Sequence, residues 1–67
     1  MIFKIEVERE DDGRWIAEVA ALPGVLVYGD SVEQAQAKAQ ALALRVLADR
    51  LDNGEATPFE SVSFAAE

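Results

Sequence analysis

Three glutamates, Glu6, Glu8 and Glu18, are the residues whose type and spacing come nearest to chemistry. As an acid–base pair they would need a pocket that desolvates one carboxyl and not its neighbour. They fall on alternate positions of short extended segments, where an exposed sheet face offers no such pocket. Asp11, Asp12 and Asp30 are the loop aspartates before the helix. A calcium ion wants about six or more oxygens from a patterned loop, and no such pattern surrounds them. Turn formation accounts for Asp11 and Asp12 instead. Ser31, Ser61 and Ser63 have no histidine to activate them. Gly24 and Gly29 do not fit a phosphate-loop spacing. The expectation is a protein that binds rather than catalyses, with no cofactor and no metal.

Composition narrows the classes further. The 67 residues contain no cysteine and no histidine, so disulfides, thiolate metal sites and the commonest general base are all excluded. A chain this short is expected to form a single domain, residues 1–67, and to bury only about 60% of the surface of its unfolded state. A partner or a second copy would therefore add usefully to a thin core. No run resembles a signal peptide and none is long enough to span a bilayer, so a cytoplasmic protein with no membrane partner is expected. The net charge of −7 is unevenly spread. The span 31–52 is balanced, and the whole acidic surplus lies on the flanking segments. Such a surface repels phosphate backbones, which argues against direct nucleic-acid binding. It would attract a basic protein. The same balance also suits a surface that only keeps a small domain soluble.

The elements that must position these carboxylates can be read in order. Phe3, Ile5 and Val7 alternate with Lys4, Glu6, Glu8 and Glu10, the period of a half-buried strand. Asp11-Asp12-Gly13 interrupts it, and Trp15, Ala17 and Val19 resume it. A two-residue turn would mix the two faces of this hairpin. A three-residue loop between Glu10 and Arg14 keeps them separate, pairs Val7 with Ala17, and puts Gly13 where positive φ is needed. Glu6 then lies opposite Glu18, with Glu8 beside them. Like charges so placed are mildly destabilising, which suits either a cationic partner or an indifferent solvated face. Trp15 is expected in the core, with an interface anchor as the alternative. Ala20-Ala21-Leu22-Pro23-Gly24 is a turn. Val25 to Tyr28 is a short strand, read with Val25 and Val27 inward and Leu26 and Tyr28 outward beside Ile16; four residues also permit the opposite phase. Phe59 to Phe64 is expected as a last strand with Val62 and Phe64 inward, followed by fraying from Ala65 to Glu67.

Between the third and fourth strands lies the one long helix, Ser31 to Leu51. Ser31 and Gln34 have the spacing of a capping box, in which each side chain bonds the other's backbone N–H. Val32, Ala35, Ala39, Leu42, Ala43, Val46 and Leu47 form the core stripe, and Asn53-Gly54 supplies the stop. A second apolar strip, Ala37, Ala41, Leu44, Ala48 and Leu51, runs about 120° or more away at about 100° per residue. Helix propensity alone accounts for its alanines, but not for Leu44 and Leu51, so the strip is a candidate self-association surface in a homo-oligomer. The resulting fold is α+β, with element order β-β-β-α-β. One helix covers one face of a four-stranded, mainly antiparallel sheet of order 3-2-1-4, and the last strand runs parallel to the third.

The succession Asp11-Asp12-Gly13-Arg14-Trp15-Ile16-Ala17, Leu22-Pro23-Gly24-Val25, Tyr28-Gly29-Asp30-Ser31, amphipathic helix and Gly54-Glu55 resembles the N-terminal domain of the HicB antitoxin family. The resemblance runs from about Phe3 to Phe64. It implies a partial ribonuclease-H-like or double-stranded-RNA-binding-domain-like (dsRBD-like) sheet. It also implies a place in a type II toxin–antitoxin pair, with a small basic HicA-type mRNA-cleaving toxin as partner. The acidic sheet face of Glu6, Glu8 and Glu18, with Ile16, Leu26 and Tyr28, is then the surface expected to meet that toxin. Many members of the family continue into a ribbon-helix-helix or helix-turn-helix domain that binds operator DNA. The sequence ends just after the fourth strand, so only the N-terminal domain is expected.

Overall fold

Residues 1–66 are described by a computed structural model. Three strands, β1 (Ile2–Arg9), β2 (Trp15–Glu18) and β3 (Leu26–Gly29), lead into helix α1 (Val32–Asp52), and β4 (Ser63–Ala66) closes the chain. The strands make one sheet of order β3-β2-β1-β4. Pairing is antiparallel for β1–β2 and β2–β3 and parallel for β1–β4. The two ladders on β1 are offset. Its first half, Ile2 to Ile5, pairs with β4, while Glu6 to Arg9 pair with β2. The molecule extends over 40 × 19 × 15 Å.

The β1–β2 hairpin closes through the three-residue loop. The Glu10 N–H donates to the Arg14 carbonyl at 2.7 Å, the Gly13 N–H donates to the Glu10 carbonyl at 3.0 Å, and Gly13 has φ of 90°. This register points Phe3, Ile5, Ala17 and Val19 to one face, where α1 packs with Ala35, Ala39, Ala43 and Leu47 buried. Val25 is buried and Val27 half-buried on the same side, so β3 takes the phase with Leu26 and Tyr28 outward. Trp15 is half-buried and packs against this core. Leu22 lies in the turn read from the sequence and is also a core residue at 2% exposure. The Pro23-Gly24 reversal folds it inward, with the Val25 N–H donating to the Leu22 carbonyl at 3.1 Å.

Two close approaches hold the helix in place. Ser31 Oγ accepts the Gln34 N–H at 3.1 Å. The reciprocal bond differs from the expected one: Gln34 Oε1 accepts from the N–H of Asp30, not of Ser31, at 2.7 Å. The extended backbone at Ser31, φ −141° and ψ 164°, accompanies this arrangement. Gly29 then touches the helix directly. A Cβ built there would lie 2.5 Å from the Ala35 nitrogen and 2.8 Å from its Cα. The far end closes in a Schellman arrangement, with the Glu55 N–H bonded to the Arg50 carbonyl, the Gly54 N–H to that of Leu51, and Gly54 at φ 71°.

The fourth strand begins later than the alternation suggests. Residues 59–62 have no strand beside them, because the ladder with β1 starts at Ile2↔Ser63. The apolar side chains of Phe59 and Val62 still pack at the rim of the core. Ala65 and Ala66, expected to fray, pair with Lys4 and Ile5, since β1 offers backbone partners that far. Glu67 lies outside the described residues. Phe64 meets Phe3 with ring centroids 6.0 Å apart.

Candidate functional site

The face of the sheet away from α1 is built by the hairpin register. Glu6 stands opposite Glu18 and Glu8 opposite Ile16; Ile16 in turn faces Tyr28, and Glu18 faces Leu26. The pairing therefore makes two cross-strand rows, Glu8–Ile16–Tyr28 and Glu6–Glu18–Leu26. A shallow open depression lies over them, lined by Glu6, Val7, Glu8, Ile16, Glu18 and Leu26. Five of the six residues expected to form a partner surface are among its walls, and the sixth, Tyr28, borders it beside Ile16. Glu6 and Glu8 are exposed, and Ile16 and Glu18 are half-buried. Leu26 and Tyr28 remain 45% and 41% exposed, well above what a packed interior would leave.

None of the three glutamate side chains forms an ion pair or hydrogen bond among the described residues. Their charges face solvent and one another, so a cation brought here would meet carboxylates not already neutralised. Lys4 shares this face two residues before Glu6, which limits the acidic cluster to its β2 side.

One participant is absent from the sequence-based set. The Arg14 guanidinium sits over the Tyr28 ring, 4.6 Å from its centroid. Asp12 holds it there: Asp12 Oδ2 accepts from Arg14 Nε at 2.8 Å, and Oδ1 accepts the Arg14 backbone N–H at 3.0 Å. These bonds, the backbone one first, hold the Asp12 carboxyl below its ordinary value of 3.8. The signal for Arg14 was present in the register. It lies two residues before Ile16 on the same face, hence diagonal to Tyr28 and within reach of a long side chain. A cation–π contact at such an exposed place is worth about 0.5–1 kcal/mol. Its structural effect is to hold one face of the tyrosine ring covered.

The helical strip lies apart from this surface. Ala37, Ala48, Leu44 and Leu51 are exposed and Ala41 half-buried, on the side of α1 turned away from the sheet. Leu44 is 50% exposed and Leu51 39%. A 21-residue helix is about 31 Å long, whereas a four-residue strand spans about 13 Å. The helix therefore outruns β2 and β3, and Leu47 is its last buried residue.

Among the described residues, no group of three histidine, cysteine, aspartate or glutamate side chains is placed to hold a metal ion. No helix among them is long and apolar enough to cross a membrane. Comparison with protein-family models, with curated proteins and with solved structures finds no match.

Proposed function

We propose that this chain is a HicB-like antitoxin module, with a partial ribonuclease-H-like sheet, that neutralises a small basic HicA-type mRNA-cleaving toxin in the cytoplasm. The observation that carries this reading is the depression where Glu6, Glu8 and Glu18 meet Ile16 and Leu26. Carboxylates without internal partners would steer and orient a cationic surface. The apolar side chains between them would supply the desolvated contact on which affinity mostly rests. The resemblance in the hairpin, the Leu22-Pro23-Gly24 turn and the Gly29-Asp30-Ser31 helix entry supports the same partner. The module acts by covering the toxin and performs no chemistry of its own.

The test is calorimetric titration against the short, basic, histidine-bearing protein expected from the neighbouring reading frame. Binding should be tight for the wild type and abolished by Glu6→Lys with Glu18→Lys, while circular dichroism stays unchanged. Unchanged affinity in the double variant, or a neighbouring frame that encodes no such protein, would overturn the proposal.

The exposed Leu44 favours a second reading, a stand-alone self-associating domain with the helical strip as its interface and no toxin partner. Leu44→Glu would then dissociate the oligomer. A wild-type chain that sediments as a monomer would rule this reading out.

A further inference from the structure

The free edge of β3 has the features of a self-pairing strand. β3 stands at one end of the sheet order, so one side of its backbone faces no other strand among the described residues. The phase of that side follows from β2–β3 pairing. The Val19 N–H donates to the Val25 carbonyl at 3.0 Å, and Ala17 and Trp15 pair with Val27 and Gly29. Residues 25, 27 and 29 thus direct their backbone groups towards β2, leaving the N–H and C=O of Leu26 and Tyr28 directed outward.

Edges of this kind are normally blunted by shortness, a charge, a proline or a bulge, and β3 is short at four residues. Leu26-Val27-Tyr28-Gly29 carries no charge, no proline and no bulge, and its four residues suffice for the two outward-directed backbone pairs. In a chain of net charge −7 it is a stretch where two copies can meet without carboxylates in the strand itself. The opposite edge, β4, is also free of charge, but it places Ser63 and Ala65 on the outer face and so offers little apolar surface to cover. β3 places Leu26 and Tyr28 there, both more than two-fifths exposed.

We propose that β3 pairs along this edge with β3 of a second copy, antiparallel and about Val27. Leu26 then stands opposite the second copy's Tyr28, and Tyr28 opposite its Leu26. Both pairs use the outward-directed N–H and C=O groups, and Val27 meets its own counterpart at the two-fold axis. Antiparallel pairing about an axis normal to the sheet keeps the two outer faces on one side. Each cross-strand row therefore continues into the other molecule: Glu8–Ile16–Tyr28 runs on into Leu26–Glu18–Glu6 of the second copy. The two depressions merge into one surface with an apolar middle and acidic flanks, to which each copy contributes half. This inference concerns the assembly and does not depend on what the surface binds.

The test is sedimentation of the full chain over a concentration series, beside Leu26→Lys, Tyr28→Pro and Leu44→Glu, with circular dichroism to verify folding. The wild type and Leu44→Glu should sediment at twice the 7.3 kDa chain mass. Leu26→Lys and Tyr28→Pro should sediment at the single mass. Amide exchange on the wild type gives an answer even if a variant fails to fold. The Leu26 and Tyr28 amides should be protected at high concentration and lose that protection on dilution. A wild-type monomer at every concentration would overturn the proposal. So would a dimer that Leu44→Glu dissolves and Leu26→Lys does not, or unprotected Leu26 and Tyr28 amides in the concentrated sample.

Discussion

Replacing Gly29 with alanine tests how closely β3 and the helix are seated. The backbone at Gly29 is not left-handed, so alanine is not excluded by its φ angle. At a compatible site that change stabilises by about 0.4–1 kcal/mol through the unfolded chain. Here the added methyl would lie 2.5 Å from the Ala35 nitrogen, 2.8 Å from its Cα and 3.1 Å from its Cβ. Two of these are helix backbone atoms that cannot rotate away. The helix must lift at Ala35, a residue with no exposed surface, and disturb the seating of Ala39 and Ala43 behind it. Overpacking of this kind costs about 1–3 kcal/mol. The penalty outweighs the entropic gain, leaving a net loss of about 1–2 kcal/mol. For a domain of this size that lowers Tm by roughly 5–15 °C. Thermal and urea unfolding followed by circular dichroism would measure it. Gly29→Ala with unchanged or raised Tm would refute the close approach, and with it the placement of the helix on the sheet.

Further tests address the outer face, the core and the hairpin loop. Glu18→Lys replaces a like-charge pair with Glu6 by an attractive one, so it should stabilise the fold by up to about 1 kcal/mol in urea titrations at low salt while weakening binding of the proposed basic partner; lower stability at low salt would contradict the pairing. Leu47→Ala, at a site 4% exposed, should cost about 2–5 kcal/mol in the same titration. Leu42→Ala should cost clearly less, because Leu42 is half-buried at the rim although its spacing places it in the same stripe. The Asp12 carboxyl is lowered in the folded chain, so its contribution to stability is present above about pH 3.8 and lost as pH falls through its folded value. In an NMR titration Asp12 should therefore ionise below the ordinary carboxylate range. Arg14→Ala should bring it only part of the way back, because the largest cause is the backbone N–H of residue 14, which alanine retains.

Much of this architecture was legible in the order of residues because it depends on local periodicity. Alternation in β1 and β2, with Gly13 at a loop position of positive φ, leaves a hairpin register that keeps the two faces separate. That register places Glu6 opposite Glu18 before any tertiary contact is considered. Helical spacing likewise identifies Ala35, Ala39, Ala43 and Leu47, and Gly54 marks the stop. Contacts between distant segments were not legible in this way. Leu22 is buried because the Pro23-Gly24 reversal turns it under the sheet, which its place in a turn does not reveal. The start of β4 depends on where β1 offers a free backbone edge, so alternation misplaces it at Phe59. The neighbours of Gly29 do not show that its role is to admit Ala35. Arg14 joins the candidate surface only once Tyr28 lies beside it across the sheet. The sequence by itself determined which faces are apolar and where each element turns, since backbone preference and side-chain period act within a few residues. Only the tertiary structure decided how far the elements overlap and which side chains meet, because steric fit between segments depends on both of them at once.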